Sequence, residues 1–322
     1  MEDHKEIEEI IFGIMSPTEI MDMSVCKIET TKLTGPGSVY DDRMGGSADN
    51  NIDCVTCGRN QKDCSGHFGH IEFNEYIINP LYYKHVVSFL RCFCLQCNRL
   101  LISEDEIALC GLTRYKSERR FKKIMEKLEK VDICGHCQNP QPKITYTPAD
   151  NTIAKVYKEK ILDAQEDNDD DENAPNKKKT PKKKDAKISI ALSVDEIKKV
   201  LDSILDEDVR LCGFEPDRMH PRNLIMSVFP VIPPCARPFV LADGNICDDD
   251  LTNQLLEIIK ANNILRQDDV VIPDEKREAK RQKAYQSLKF RVLTFFNNSQ
   301  GKAKHPTNGR PIKGLKERMT GK

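Results

Sequence analysis

The stretch CVTCGRNQKDCSGHFGH, Cys54 to His70, decides how this chain is read, because three cysteines and two histidines crowd into a loop with almost nothing apolar to bury. Cys54 and Cys57 form a C-x2-C pair, and Cys64 and His67 form a C-x2-H pair seven residues further on. Each spacing lets one tight turn present two donors to one ion, and zinc takes four such donors tetrahedrally at about 2.0–2.3 Å. Structural zinc supplies about 10–16 kcal/mol of binding free energy to such segments, so the ion stands in for the missing hydrophobic core. His67 is the expected fourth ligand, since C-x2-H repeats the geometry of C-x2-C. His70 is the alternative.

The spacing recurs in CFCLQC, 92–97, and in CGHC, 134–137. Cys92, Cys94, Cys97, Cys134, His136 and Cys137 are more candidates than one ion needs. The C-x2-C rule selects Cys94 with Cys97 and Cys134 with Cys137. Cys92 is then expected to be a small buried apolar residue, as are Cys26, Cys110, Cys212, Cys235 and Cys247, and His136 is expected to be exposed. Four protein ligands leave no open position on the metal, which marks both sites as structural rather than catalytic. A zinc-deaminase pattern, His70-x-Glu72 with Cys94 and Cys97, lacks the proline before the first cysteine and leaves Cys54, Cys57 and Cys64 unexplained.

Metal ligation is favoured over disulfides for the thirteen cysteines. The start, MEDHKEIEEIIFGI, is not a basic region followed by an apolar one, and reduced thiols are the rule inside cells. No apolar run approaches the roughly 18 residues that span a bilayer. Charged residues make up 31% against 39% hydrophobic, with a mean hydropathy of -0.56, so exposed helices, linkers or partner-covered faces are expected. The net charge of -1 hides segregation. Residues 163–187 include EDNDDDENAPNKKKTPKKKD, an expected disordered surface insertion. Its KKKTPKKK resembles a nuclear localisation signal or nucleic-acid arm, but the adjoining acidic run favours a solvated loop.

Periodicity predicts a strand at IEFNEYII (71–78), a helix at 81–91, and a helix at 114–131 with Phe121, Ile124, Met125 and Leu128 on one face. Ser193 and Glu196 fit a capping box opening a helix whose apolar face is Ile197, Val200, Leu201, Ile204 and Leu205. FPVIPPCARPF (229–239) reads as extended, since each proline fixes its own φ and restricts its predecessor. Two long helices are expected, at about 249–266 with Leu251, Leu255, Ile258 and Ile259, and at about 275–297 with Tyr285, Leu288, Val292 and Phe295. The short QDDVVIPD between them suits an antiparallel hairpin. Residues 1–50 read as a short amphipathic segment followed by a polar region punctuated by Gly35-Pro36-Gly37 and Gly45-Gly46, where little regular structure is expected. The last 22 residues hold seven Lys or Arg against one Glu.

With these residues in view, CVTCGRNQKDCSGHFGHIEF, FCLQCNRLL and CGHCQNPQPKI resemble the N-terminal clamp of the largest subunit of multisubunit DNA-directed RNA polymerases of eukaryotic, archaeal or large-DNA-virus type. YDDRMG (40–45) is similar to the family's D-P-R-[LM]-G turn with Asp42 in place of proline. FPVIPPCARPF is similar to its proline run with Cys235 in place of proline, and GRPIKGLKERMTGK to the opening of its switch segment. The resemblance implies an α+β, zinc-stabilised clamp with two zinc knuckles, small sheets and a protruding antiparallel helical hairpin. Its parts would be a clamp core with the first zinc site (1–98), a clamp head completing the second (99–162), the charged insertion (163–187), a core return (188–248), the clamp coiled coil (249–297), and the lid with the start of the switch (298–322).

The implied cofactors are two structural Zn²⁺ ions. Catalytic Mg²⁺ is expected only in the complete polymerase, because the family's aspartate triad N-A-D-F-D-G-D is missing from these residues and Asp169 to Asp171 sit in low-complexity sequence. On this reading the chain does not polymerise RNA alone. The implied partners are the rest of the largest subunit, the second-largest and other polymerase subunits, DNA and the DNA–RNA hybrid, and initiation or elongation factors at the hairpin, with no membrane. The implied location is a nucleus, or a viral factory or virion. Lys302, Lys304, Arg310, Lys313, Lys316, Arg318 and Lys322 are the expected phosphate contacts; the bland reading of that tail is a solvated terminus. A stand-alone zinc-binding regulatory protein that binds nucleic acid is the alternative function.

Overall fold

The computed structural model describes residues 12–45, 53–148, 150–159, 186–242, 245–266, 274–306 and 309–320. Residues 163–185 of the expected insertion, the 267–273 connection, the first eleven residues and Lys322 lie outside the described residues. The chain separates into two compact units, one of residues 1–83 with 215–322 and one of residues 84–214.

In chain order the elements begin with α1 (Pro17–Met23), β1 (Cys26–Lys27), β2 (Gly69–Ile78), α2 (Tyr83–Cys92), α3 (Glu104–Leu109) and α4 (Ser117–Leu128). They continue with β3 (Lys143–Thr147), β4 (Thr152–Glu159), β5 (Ala186–Ala191), α5 (Val194–Asp202), α6 (Asp206–Leu211) and β6 (Ile225–Val231). The last are β7 (Val240–Ala242), β8 (Asn245–Cys247), α7 (Asp250–Arg266), α8 (Asp274–Phe296) and α9 (Leu315–Met319). Helices with small, separate sheets make this an α+β fold.

In the first unit β2 lies between β1, to which it is parallel, and β6, to which it is antiparallel. Ile71, Ile77, Phe229 and Val231 from this sheet share one core with Leu251, Leu255 and Ile258 of α7 and Leu288, Val292 and Phe295 of α8. Phe229 meets Phe295 edge-on at 5.2 Å between centroids, a geometry favoured by the ring quadrupoles. These are the faces the 3.6-residue period indicated. At the other end of α8, Lys276 to Lys283 are exposed on every side, so the helix outruns the core. The pairing of β2 with β6 breaks between Glu72 and Ile77. Asn262 of α7 fills the break, accepting from Asn74 N at 2.9 Å and donating to Glu72 O at 2.8 Å.

Regular structure before residue 50 is sparse, and the short helix α1 forms there because Ser16 and Glu19 close a capping box and Pro17 occupies the first turn. One reading in the middle of the chain needs correction. FPVIPPCARPF is extended only through β6, after which Pro234–Ala236 make a 3-10 turn. That turn sends Arg237 inward until its side chain has no exposed surface. The guanidinium donates to Ile232 O at 3.0 Å, to Thr252 Oγ1 at 3.1 Å and to Val39 O, and stands 4.9 Å from the Tyr40 ring centroid. Burial pulls its pKa down to about 10, while Tyr40, Asp249 and Asp248 oppose the shift.

In the second unit Phe89, Phe121 and Phe214 form an aromatic cluster, with centroids 4.6 Å apart for Phe89 and Phe121 and 5.4 Å for Phe121 and Phe214. Phe121, Ile124 and Leu128 of α4 are buried as the pattern implied. The helix starts at Ser117 rather than at residue 114, because Arg120 turns back and donates to the carbonyls of Tyr115 and Thr113, each at 2.8 Å. β3, β4 and β5 make an antiparallel sheet in that order. The Ser193 capping box opens α5, with Glu196 N to Ser193 Oγ at 3.1 Å. Leu205, expected on the apolar face of that helix, is instead exposed at 62%, since α5 ends at Asp202 and the chain turns into α6.

Arg237→Met is expected to destabilise the chain by about 2–4 kcal/mol in urea unfolding, because it removes the buried donors of Val39 O and Thr252 Oγ1, at about 1–3 kcal/mol for each group left unsatisfied, while Thr252 keeps its contact with the Tyr40 hydroxyl. A loss under about 1 kcal/mol would mean water takes over those acceptors.

Candidate metal centres and basic tail

All of the cysteines are unbridged. Cys54, Cys57, Cys64 and His67 bring one donor atom each to within 4.8 Å of one another, and so do Cys94, Cys97, Cys134 and Cys137. Among the described residues these are the two groupings of that kind. In the first, Cys57 Sγ lies 3.5 Å from Cys64 Sγ, and Cys64 Sγ lies 3.6 Å from His67 Nε2. In the second, Cys94 and Cys137 Sγ are 3.6 Å apart, and Cys97 and Cys134 Sγ 3.7 Å. Metal–sulfur bonds of about 2.3 Å in a tetrahedron place neighbouring sulfurs about 3.8 Å apart, so both donor sets fit a zinc ion.

The turns that aim these donors repeat. After each C-x2-C pair one residue takes a left-handed backbone, Gly58 (φ 65), Asn98 (φ 56) and Gln138 (φ 59). The backbone closes the same loop three times, Cys54 N to Arg59 O at 2.8 Å, Cys94 N to Arg99 O at 2.9 Å and Cys134 N to Asn139 O at 3.0 Å. Glycine or asparagine tolerates that conformation best. In the C-x2-H turn Gly66 has φ +82, and a Cβ there would sit 2.5 Å from Cys235 Sγ and 2.6 Å from Pro233 Cβ.

The YDDRMG turn braces the first cluster. Asp41 accepts from Gly37 N at 2.6 Å and from Arg43 Nη2 at 2.7 Å. Burial pushes the Asp41 carboxyl up, but the Arg43 guanidinium and these amides outweigh it and hold the group below its usual range. Arg43 O then accepts from Thr56 Oγ1 at 2.6 Å, and Met44 O from His67 N at 2.8 Å. Around the second cluster, Gln141 Nε2 donates to Cys94 Sγ at 3.2 Å and Asn139 Nδ2 to Cys137 Sγ at 3.4 Å. The amides of Asn139 draw the Cys137 thiol down to about 6, and the His67 imidazole draws Cys57 down to about 6. Burial pushes Cys97 up to about 12. Protons compete with metal for every one of these sulfurs, so affinity falls as pH falls.

Of the two histidines weighed for the first centre, His67 joins the cluster and His70 does not. His70 lies on β2, where Nδ1 meets Ser24 Oγ at 2.8 Å and Nε2 faces Glu72 at 3.6 Å. That pairing leaves no deaminase-like grouping with Cys94 and Cys97, which join Cys134 and Cys137. His136 is exposed. Cys26, Cys92 and Cys212 are buried as expected, whereas Cys110, Cys235 and Cys247 are exposed, because they fall at a helix end, a turn and a strand end rather than on an apolar face.

In the basic tail, Lys302, Lys304, Lys313 and Lys316 are exposed. Arg310 pairs with Asp250 at 2.7 Å and Arg318 pairs with Asp249, two carboxylates at the start of α7 with side chains 9% and 1% exposed. Asn298 closes the preceding loop, donating to Ala303 O at 2.9 Å and Ile312 O at 2.6 Å. Nothing in the sequence pairs an acidic helix start with arginines some sixty residues away. Among the described residues no helix is long and apolar enough to cross a membrane.

An α+β chain that brings together two separate sets of four cysteine and histidine donors defines a class of candidate metal-binding proteins. More narrowly, it belongs to the family described as RNA polymerase Rpb1, domain 1, which it matches over residues 4–322. It is 34% identical over 379 residues to an RNA polymerase II subunit RPB1 homolog of Invertebrate iridescent virus 6, covering 99% of this chain and 35% of that protein. It is 31% identical over 330 residues to RNA polymerase II subunit RPB1 of Euplotoides octocarinatus, covering 99% of this chain and 66% of that one. With subunit Rpo1N of Methanocaldococcus jannaschii the identity is 30% over 342 residues, covering 99% and 22%. The chain therefore spans about a third of the iridescent-virus relative and only part of each of the others.

Cys54→Ser combined with Cys57→Ser is expected to lower bound zinc from two ions per chain to one by elemental analysis; two retained ions would refute the first centre. Gly66→Ala is expected to weaken that centre alone, measured as earlier zinc release to a chelating dye on acidification, with the second centre unchanged.

Proposed function

We propose that this chain is the N-terminal part of the largest subunit of a DNA-directed RNA polymerase and forms the clamp that closes over DNA and the DNA–RNA hybrid during transcription. The observation that carries the reading is the family match across 4–322, together with two donor sets whose distances fit a zinc ion, at the spacings read from the sequence. Cys54, Cys57, Cys64 and His67 would hold one structural Zn²⁺, and Cys94, Cys97, Cys134 and Cys137 the other. Each ion would rigidify loops that have little core of their own. Nucleotidyl transfer and its Mg²⁺ belong to the assembled enzyme with the rest of the largest subunit and the second-largest subunit.

In this role α7 and α8 form the hairpin on which initiation or elongation factors dock, residues near 298–308 form the lid, and the tail begins the switch. The surface lysines Lys302, Lys304, Lys313 and Lys316 contact phosphates. Arg310 and Arg318 are held by Asp250 and Asp249, and they orient the tail as well as supplying charge. The polymerase works in a nucleus or a viral factory.

Affinity purification of the tagged chain from its native source is expected to recover a second-largest polymerase subunit and DNA-dependent RNA synthesis, which immunodepletion of the chain removes. Recovery as a lone protein, with synthesis unaffected by depletion, would sink this assignment. Replacing the four tail lysines by Gln is expected to flatten the salt dependence of DNA binding by about 0.9 in log–log slope for each phosphate no longer neutralised.

A further inference from the structure

Where α4 ends, the second unit leaves apolar surface unfilled. A cavity of about 380 Å³ opens there, walled by Leu90, Phe93, Met125, Leu128, Val131 and Ile144. Leu90, Phe93, Leu128 and Ile144 are buried and form its floor, while Met125 and Val131 are half-buried. Met125 shares the apolar stripe of α4, yet Phe121, Ile124 and Leu128 on that stripe are buried and it is not. Leu95 joins the wall because the turn around it commits Cys94 and Cys97 to the second donor cluster. Apolar surface left against water is a standing cost that an apolar occupant removes. The volume falls among small-molecule pockets, roughly 300–1,000 Å³, whereas a protein partner covers a broad patch. Every lining residue lies between 90 and 145, inside the unit of residues 84–214.

Four charged residues, Arg91, Lys143, Glu129 and Asp132, stand at its edge. All are exposed, and among the described residues none of them is ion-paired. Arg91 differs from the other three. Its Nε and Nη2 donate to Ile144 O at 3.1 and 2.9 Å, which fixes the guanidinium against β3 and leaves Nη1 without a protein acceptor among the described residues. A fork held in this way has given up its rotamer freedom before a ligand arrives and keeps N–H groups for the oxygens of one acid group. Lys143, next to Ile144 in the chain, adds a second positive charge. Glu129 and Asp132 have no side-chain hydrogen bond among the described residues, so a cation bound to them must first order them. The Ile144 carbonyl is taken by Arg91, so β3 cannot offer it to an added strand.

We propose that this cavity is a binding site for a small apolar carboxylate, with an aromatic or branched aliphatic body against Leu90, Phe93, Met125 and Ile144 and its acid group on Arg91 with Lys143 beside it. Gln141, also on the wall, donates to Cys94 Sγ at 3.2 Å, so the site adjoins the second donor cluster. It requires neither DNA nor another subunit, and it stands apart from the polymerase reading.

The test titrates the full-length, zinc-loaded chain with naphthoate, followed by saturation-transfer NMR, beside the neutral naphthamide and the cationic naphthylmethylamine. Naphthoate is expected to saturate one site with a Kd below about 1 mM. It is expected to bind at least about tenfold more tightly than naphthamide, as a charge-assisted contact implies. Arg91→Met is expected to erase that gap while naphthamide binds as before, the unchanged amide reporting that the cavity survives. Because this variant also frees Ile144 O, Lys143→Gln gives a second reading at an exposed residue, a loss of about two- to fivefold for naphthoate alone. Val131→Trp, which fills the cavity from a turn, is expected to abolish binding of both, with zinc content and melting temperature held. Tighter binding of naphthylmethylamine than of naphthoate would give the mouth to Glu129 and Asp132 and overturn the proposal. So would naphthoate binding that survives Val131→Trp, or the absence of saturable binding by all three probes.

Discussion

One buried cation organises the first unit. Arg237 has no exposed surface, and moving a guanidinium out of water is tolerable only when its donors are satisfied. Its partners come from three places far apart in the chain, Val39 before the YDDRMG turn, Ile232 in the proline run and Thr252 in the first turn of α7. Tyr40 covers its face and reaches Asp248 at 3.1 Å, so an anion stands close to the buried charge. Two stretches that carried the family resemblance are thus joined to the helical hairpin by one side chain. Each must keep its position for the charge to remain tolerable.

From that hub the order runs outward to the first donor cluster. Val39 and Tyr40 lead directly into Asp41 and Arg43, whose carbonyl takes Thr56, while Met44 O takes the amide of His67. The loop between 53 and 68 has no helix or strand of its own. Its position depends on these few hydrogen bonds and on four converging donors, a way to fix backbone where too few apolar side chains exist to do it. The second cluster solves the same problem with four cysteines, and the Asn139 amides favour charged sulfur at Cys137.

Charge is arranged by the same economy. Asp249 and Asp250 sit at the start of α7, where the helix dipole favours anions, and there they take Arg318 and Arg310 from the tail. A tail that reads as a uniform run of positive charge is in fact divided into arginines paired with carboxylates of α7 and lysines that face water. On α4 the division is by helix face, with the apolar stripe inward and the cations outward.

The local features were legible because they repeat over three or four residues. C-x2-C and C-x2-H turns, the Ser193–Glu196 capping box and the apolar stripes of α4, α7 and α8 all depend on neighbours one turn away, and the residues that make them are adjacent in the chain. The Ser16–Glu19 box was equally local and could have been read in the same way. What the order of residues could not convey was set by distant partners. Whether His67 or His70 completes a cluster turned on β2 claiming His70 for Ser24; the start of α4 turned on Arg120 reaching back for two carbonyls. The direction of Arg237 and the capture of the tail arginines came from groups sixty to two hundred residues away. Residue order was enough to name the side chains able to bind metal and the helix faces that are apolar, since both follow from short-range geometry. Which charges are spent inside the protein was left to the folded chain, because desolvation depends on where the backbone returns.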